Sequence, residues 1–421
     1  MRGLRSALAS RFSAAALARS FSSLRDPAFR WWSAAQFVSG SGGAASMVGI
    51  AWLVVELGGD GLALGVVTGA VMLPTLLAGP YAGLFVDRFS RRAVLLCTQA
   101  AQAAVAATLA VLAFGQLVSL PGLLGLSLAQ GVAFAIDNPA RQLLVLDLVG
   151  RERTTSAVSM NEVIINSSRI VGPAVAGAVL VTGGAGWCFV VNAVSFAPGI
   201  LVLLLLRIPV AEHAAAAVEP LAVRAPEPPH AQSPWRFAAT TPRIRTTLAL
   251  AIGAAASYNI AVVMPLMASD VFGAGGEGYA AIAVAFGLGA LPGALLSATG
   301  PVVPRSEEVR ALAVALALAV LLVSAAPVFP VLLASTALAG GASMWFIARA
   351  NALVLLETPP AMRGRVMGIW AMMLPGSSVV TGLLVGGLAD ATDPRVAYGA
   401  VGLVIALTVV AGWRSLRTPV S

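Results

Sequence analysis

Three polar residues set among apolar neighbours offer the clearest chemistry in this chain. Glu162, Asn166 and Arg169 follow one another at i, i+4 and i+7, so they share one face of a helix. At 1.5 Å of rise per residue the two charges lie about 10 Å apart along the axis. A carboxylate, an amide and a guanidinium so arranged can hold a polar solute and exchange a proton with it. Arg stays charged and cannot carry that proton. The chain has no Lys, and its two His, His213 and His230, lie outside the apolar stretches. Glu162 is therefore the first candidate for proton coupling and Asp137 the second. A substrate competing for Arg169 would change how tightly Glu162 holds its proton.

Further polar or aromatic groups occur at similar depth in other apolar stretches: Gln36 and Ser39, Gln130, Tyr258 and Asn259, Trp345, and Trp370 with Met373. These are substrate-cavity candidates, together with Asn166 and Arg169; aromatic and Met side chains suit a bulky amphipathic solute. Arg349 lies near the edge of its stretch and is expected to snorkel. Nothing resembles an enzyme's constellation. Gly287, Gly289 and Gly293 have no Lys after them, so they form no phosphate loop. No His, Cys and carboxylate cluster has metal-ligand spacing, and Cys97 and Cys188 read as small buried hydrophobes. No metal, cofactor or catalytic activity is expected.

The elements that must position these residues are membrane helices. Of 421 residues 58% are hydrophobic and only 10% charged, with a mean hydropathy of +0.90. A soluble chain of this length needs roughly a quarter charged residues. The apolar residues come in runs of about 20, the length that crosses a bilayer. Twelve spans are predicted, at 31–57, 64–86, 93–114, 119–141, 158–181, 187–207, 245–270, 278–300, 308–326, 329–352, 366–389 and 395–413. The all-α chain therefore divides into an N-terminal arm (1–30), a six-helix bundle (31–207), a Pro- and Ala-rich linker (208–242), a second six-helix bundle (243–413) and a tail (414–421).

The net charge of +8 comes entirely from Arg. It belongs to the membrane topology and not to nucleic-acid binding, because the Arg cluster at alternate span ends, the signature of cytoplasmic loops. Arg88, Arg91, Arg92, Arg141, Arg151, Arg153, Arg305, Arg310, Arg363, Arg365, Arg414 and Arg417 fall on one side, while Glu56, Asp60, Asp270, Glu277, Asp390 and Asp393 fall on the other. Both termini are expected in the cytoplasm, in a plasma or inner membrane. The N-terminal arm, with five Arg between Met1 and Arg25, has no continuous apolar core for a signal peptide. The halves also repeat. Arg141–Asp147 matches Asn351–Glu357, and Arg-x-Arg follows at Arg151/Arg153 and Arg363/Arg365. Parallel six-helix repeats are a known transporter plan.

Between the second and third spans the chain reads Gly83-Leu84-Phe85-Val86-Asp87-Arg88-Phe89-Ser90-Arg91-Arg92. This resembles the cytoplasmic signature of the major facilitator superfamily, with Ser90 in place of the second Gly. The resemblance implies a cytoplasmic gate at Gly83, Asp87, Arg88, Arg91 and Arg92, joined by Arg141 of the fourth span, that breaks as two halves rock. Ser168-Arg169-Ile170-Val171-Gly172-Pro173-Ala174-Val175-Ala176-Gly177 is similar to the family's fifth-helix antiporter motif, with Gly172, Pro173 and Gly177 matching. The run Asp137–Gln142, with Gly186–Ala193, resembles the enterobactin-exporter branch. The resemblance implies a secondary transporter, monomeric in the bilayer, that exports a small amphipathic compound (siderophore or drug-like) in exchange for protons. An uptake symporter, a lipid-type transporter and a transport-dead sensor are the alternatives.

Overall fold

The computed structural model describes residues 22–86, 88–149, 153–205, 233–258, 260–299, 304–359 and 362–416. Twelve long helical segments follow one another among them: α1 (Pro27–Glu56), α2 (Gly61–Val86), α3 (Arg91–Phe114), α4 (Leu120–Val149), α5 (Thr154–Gly183), α6 (Ala185–Leu205, interrupted at Phe196), α7 (Pro242–Val271), α8 (Gly275–Thr299), α9 (Ser306–Ser324), α10 (Phe329–Glu357), α11 (Arg363–Ala391) and α12 (Pro394–Ala411). Nine of the described helices are long and apolar enough to cross a membrane. Their outward faces carry large apolar side chains such as Val111, Leu205 and Val410. Only helices that satisfy their own backbone can present such faces to hydrocarbon.

Local chemistry sets the helix starts. Asp26 caps α1 by accepting the Ala28 N–H at 2.9 Å, with Pro27 in the first turn, where a missing N–H costs nothing. Ser90 caps α3 by accepting the Ala93 N–H at 3.3 Å. The departure from the family signature thus exchanges a glycine for a helix cap. Asp393 caps α12 through the Arg395 N–H at 2.7 Å.

The helices overrun several predicted spans. α4 continues to Val149 and α10 to Glu357, because the segments leaving the apolar layer are still good helix formers. Within the predicted N-terminal arm Ser22–Arg25 form a short turn, whose Ser23 N–H donates to the buried Ser156 hydroxyl on α5 at 3.0 Å. The predicted linker includes a helix, Pro234–Thr240, and α7 begins at Pro242; residues 206–232 lie outside the described set.

The twelve helices form two six-helix bundles related by a pseudo-twofold. In the first, α1 packs on α5 and α6, α2 on α4, and α3 on α4 and α6. Each pairing recurs in the second bundle six helices later: α7 on α11 and α12, α8 on α10, and α9 on α10 and α12. The bundles meet through α2 against α11 and α5 against α8, two contacts that the same symmetry exchanges. Small residues allow the closest approaches. A Cβ on Gly289 of α8 would lie 1.7 Å from the Ala337 carbonyl oxygen of α10, and one on Gly131 of α4 would lie 2.4 Å from that of Val71 on α2. Without a hydrophobic force between helices in lipid, such backbone contact supplies much of the packing energy.

Candidate transport site and its gates

Asp137 lies on α4, fully buried. Its Oδ1 accepts from the Thr98 hydroxyl on α3 at 2.8 Å. Its Oδ2 accepts from Arg141 one turn on, through Nε at 2.9 Å and through Nη2. Arg141 Nη1 donates in turn to the Gln36 side-chain oxygen on α1. Four residues from three helices thus form one polar cluster inside the first bundle, in which the Asp137 charge is matched by Arg141. Such a pair is costly to desolvate and still more costly to break. Gln36 and Arg141 were expected at the cavity and at the gate respectively, and the structure places them together in this cluster. Gln130, two turns earlier on the same face of α4, donates from Nε2 to Gln102 of α3 at 3.3 Å. It turns towards α3, inside the first bundle. Ser39 is buried on α1 and its hydroxyl returns to the Gln36 carbonyl.

One end of the molecule carries most of the charged loops and is the arginine-rich end; the other carries Glu56, Asp60, Asp270, Glu277, Asp390 and Asp393. At the arginine-rich end Arg91 pairs with Asp147 at the end of α4, and Arg92 donates to the Leu204 carbonyl of α6 at 3.0 Å. Arg88 is exposed. The paired arginines of the signature therefore brace α3 against α4 and α6 within one bundle. Gly83 belongs to α2, without description of its surroundings, and Asp87 lies outside the described residues. In the second bundle Arg243 at the start of α7 pairs with Glu357 at the end of α10, at 2.6 Å. Asp147 and Glu357, which match in the sequence repeat, thus both accept an arginine, but from non-equivalent helices.

Arg349 corrects an expectation. It does not snorkel: its side chain is 6% exposed and makes a two-pronged pair with Glu308 in the first turn of α9, Nε to Oε1 at 2.7 Å and Nη2 to Oε2 at 2.8 Å. Sequence reading passed over Glu308, the first residue of the predicted 308–326 span. The available signal was a carboxylate in the first turn of the helix that neighbours the arginine's own. Asp390 was likewise read only as a charge on one side of the membrane. It accepts the Gly61 N–H at 2.5 Å and the Leu62 N–H at 2.7 Å across the bundle boundary.

α5 carries Glu162, Asn166 and Arg169 on its backbone; the side chains of all three lie outside the described set. What surrounds the helix is described. Ser168 donates to the Phe37 carbonyl of α1 at 3.2 Å. A Cβ on Gly172 would sit 2.6 Å from the Ser41 carbonyl oxygen and 2.4 Å from the Ala44 Cβ, while one on Gly177 would sit 3.0 Å from the Ala280 Cβ of α8. The antiporter-type motif therefore packs α5 on α1 through Gly172 and faces the other bundle through Gly177. Pro173 lies inside the helix between them, where it removes one backbone hydrogen bond.

The remaining candidates separate. Trp370 is 4% exposed and packed in the main apolar core, a wall residue more than a contact surface. Trp345 and Met373 are half-buried at the edge of that core, and the Trp345 indole N–H has no partner among the described residues. The Tyr258 side chain and all of Asn259 lie outside the described set. A groove of about 1070 Å³ runs between α1, α5 and α6, lined by Phe37, Val175, Trp187, Val194, Leu201 and others. It opens beside the first bundle and not between the two, so it is not where these candidates converge.

The family described as transmembrane secretion effector, a branch of the major facilitator superfamily, matches residues 18–420. Among curated relatives, the multidrug efflux pump Tap of Mycolicibacterium fortuitum is 27% identical over 90% of this chain and 93% of its own. The staphyloferrin A transporter of Staphylococcus aureus is 29% identical over 38% of this chain and 41% of its own length. Among solved structures, the nucleoside transporter NupG superposes with a TM-score of 0.71 at 14% identity, over 93% of this chain and 99% of that one. A bacterial homolog of the human lysosomal transporter Spinster gives 0.67 at 14% identity, over 94% and 97%. This chain belongs to the transmembrane secretion effector family of the major facilitator superfamily and is an integral, multi-pass membrane transporter.

Proposed function

We propose that this transporter exports a small amphipathic compound, of siderophore or drug type, in exchange for protons, by rocking two bundles about a central site. One observation carries the reading. Glu162, Asn166, Arg169, Pro173 and Gly177 follow one another at spacings of four, three, four and four, a single stripe along a helix. The stripe ends on Gly177, against Ala280 of α8. The helix bearing the charged candidates is therefore one whose packing must change when the bundles move. Charges at membrane depth are costly, so they serve a purpose in most transporters. Glu162 is the proton carrier in this reading, Asn166 and Arg169 hold the polar part of the substrate, and Trp345 and Met373 offer an apolar wall. Asp137 is the second candidate, and its pairing with Arg141 favours a supporting role.

Relatives named as multidrug efflux pumps along nine-tenths of the chain support export, and the staphyloferrin A relative supports compounds of siderophore type. The arginine-rich end faces the cytoplasm by the positive-inside rule, with both termini there. The Gly83–Arg92 segment then forms the inner gate. The test uses purified protein in sealed vesicles with the arginine-rich end outward and an acidic lumen. A fluorescent lipophilic cation or a carboxylate siderophore should accumulate in the lumen and stop when the pH gradient is collapsed. Glu162→Gln should abolish the gradient-driven part. Accumulation indifferent to the gradient overturns proton exchange, and unchanged gradient dependence in Glu162→Gln removes Glu162 from the mechanism.

A further inference from the structure

We propose that Asp390 is a positioning residue for the transport cycle: the carboxylate at the end of α11 latches the acidic end of the molecule shut by capping α2 across the bundle boundary. The amino end of any helix leaves its first N–H groups without intrahelical partners. In α2 the local residue, Asp60, serves only one of them, accepting the Ala63 N–H at 2.8 Å. The Gly61 and Leu62 N–H groups donate instead to Asp390, one to each carboxylate oxygen, at 2.5 and 2.7 Å. Residues 61 and 390 belong to different bundles, so one bundle completes the helix cap of the other. The carboxylate also meets the positive end of the α2 dipole.

The backbone beneath the cap is built for the same contact. Gly61, Gly65 and Gly69 recur every four residues on α2, and Gly382 and Gly386 do so on α11. A Cβ on Gly65 would lie 2.6 Å from the Gly382 carbonyl oxygen, and one on Gly386 would lie 2.1 Å from that of Gly61. Two helices touching through their backbones have no side chains to keep them in partial contact as they part. The contact is therefore either seated or lost, the behaviour that a switching interface needs. Asp390 and Asp60 are both exposed, so water can take over the freed groups and opening carries a small cost. By contrast, the ion pairs Arg91–Asp147, Arg141–Asp137, Arg243–Glu357 and Arg349–Glu308 each stay inside one bundle. The latch thus acts on the relation between bundles and not on the integrity of either.

The assignment of this end to the outer face rests on the orientation proposed above; the latch itself does not. The experiment reads accessibility, without transport. In a background with Cys97→Ser and Cys188→Ala, Gly69→Cys is the reporter, two turns inward from the cap. A Cβ there meets Val379 of α11 only at 3.6 Å, so the substitution fits. A membrane-impermeant maleimide is applied to right-side-out and to inverted vesicles. With Asp390 intact, labelling should be slow. Asp390→Ala should speed it about tenfold, the size of one lost helix cap, and Asp390→Asn should fall between, keeping an acceptor oxygen without the charge. Gly386→Val, which forces the helices apart sterically, should do the same as Asp390→Ala. The rise should occur from one face only, and in Asp390→Ala with an unchanged unfolding midpoint, a combination that a purely structural role does not produce. Labelling unchanged in both Asp390→Ala and Gly386→Val overturns the latch, as does an equal rise from both faces. A rise confined to inverted vesicles supports the latch while overturning the orientation, and loss of proton coupling in the vesicle assay leaves this readout untouched.

Discussion

The pair between Arg349 and Glu308 makes an asymmetric prediction about stability. Arg349 is 6% exposed and Glu308 23% exposed, and two short hydrogen bonds join them. Removing one partner of a buried pair costs about 3–5 kcal/mol, because the other charge is left unmatched. Glu308→Ala falls at or below the low end of that range, about 2–3 kcal/mol, since water reaches the carboxylate side of the pair and Arg349 has further contacts. Arg349→Met should cost less, about 1 kcal/mol, because Glu308 is left in the first turn of α9, where the helix dipole favours a carboxylate. The double variant should resemble Arg349→Met alone, a coupling of about 2–3 kcal/mol. Reversible denaturant unfolding of the purified protein in detergent micelles measures all three. The expected loss for Glu308→Ala is roughly 30- to 150-fold in the folding equilibrium constant. Equal costs for the two single variants, or strict additivity in the double, would refute the account of a buried guanidinium held by a half-wet carboxylate.

Other outcomes follow from the same geometry. Asp137→Ala leaves Arg141 with only Gln36 as its described side-chain partner and should destabilise by about 3–5 kcal/mol. Asp137→Ala/Arg141→Met should recover most of that in the same unfolding assay, and gradient-driven transport surviving in the double variant would confine Asp137 to a supporting role. Gly289→Val forces side-chain atoms into the Ala337 carbonyl of α10 and should cost more than the roughly 1–3 kcal/mol of ordinary overpacking, seen as loss of folded protein on size exclusion. Asp147→Asn should change stability by less than about 1 kcal/mol, because the Arg91–Asp147 side chains are about 30% exposed and exposed pairs contribute little. Any effect of that variant should appear in transport rate and not in the unfolding midpoint.

Hydropathy and charge made most of the architecture legible before any coordinates. The number of spans, the two-bundle plan and the family signature all follow from side chains counted along the chain, because the bilayer imposes its length and its aversion to charge on each helix separately. The repeat aligning Asp147 with Glu357 was equally legible, and both residues accept an arginine. Which arginine each receives was not. That depends on the rotation of one helix about its axis and its height against a neighbour, and many small-residue contacts set both together. The same rotation turns Asp137 and Gln130 towards α3, buries Arg349 instead of letting it reach the membrane surface, and carries Asp390 over the first turn of α2. Sequence determined which residues must lie at membrane depth; tertiary structure decided what each one faces, since pairing between helices is a property of two surfaces and no single helix encodes it.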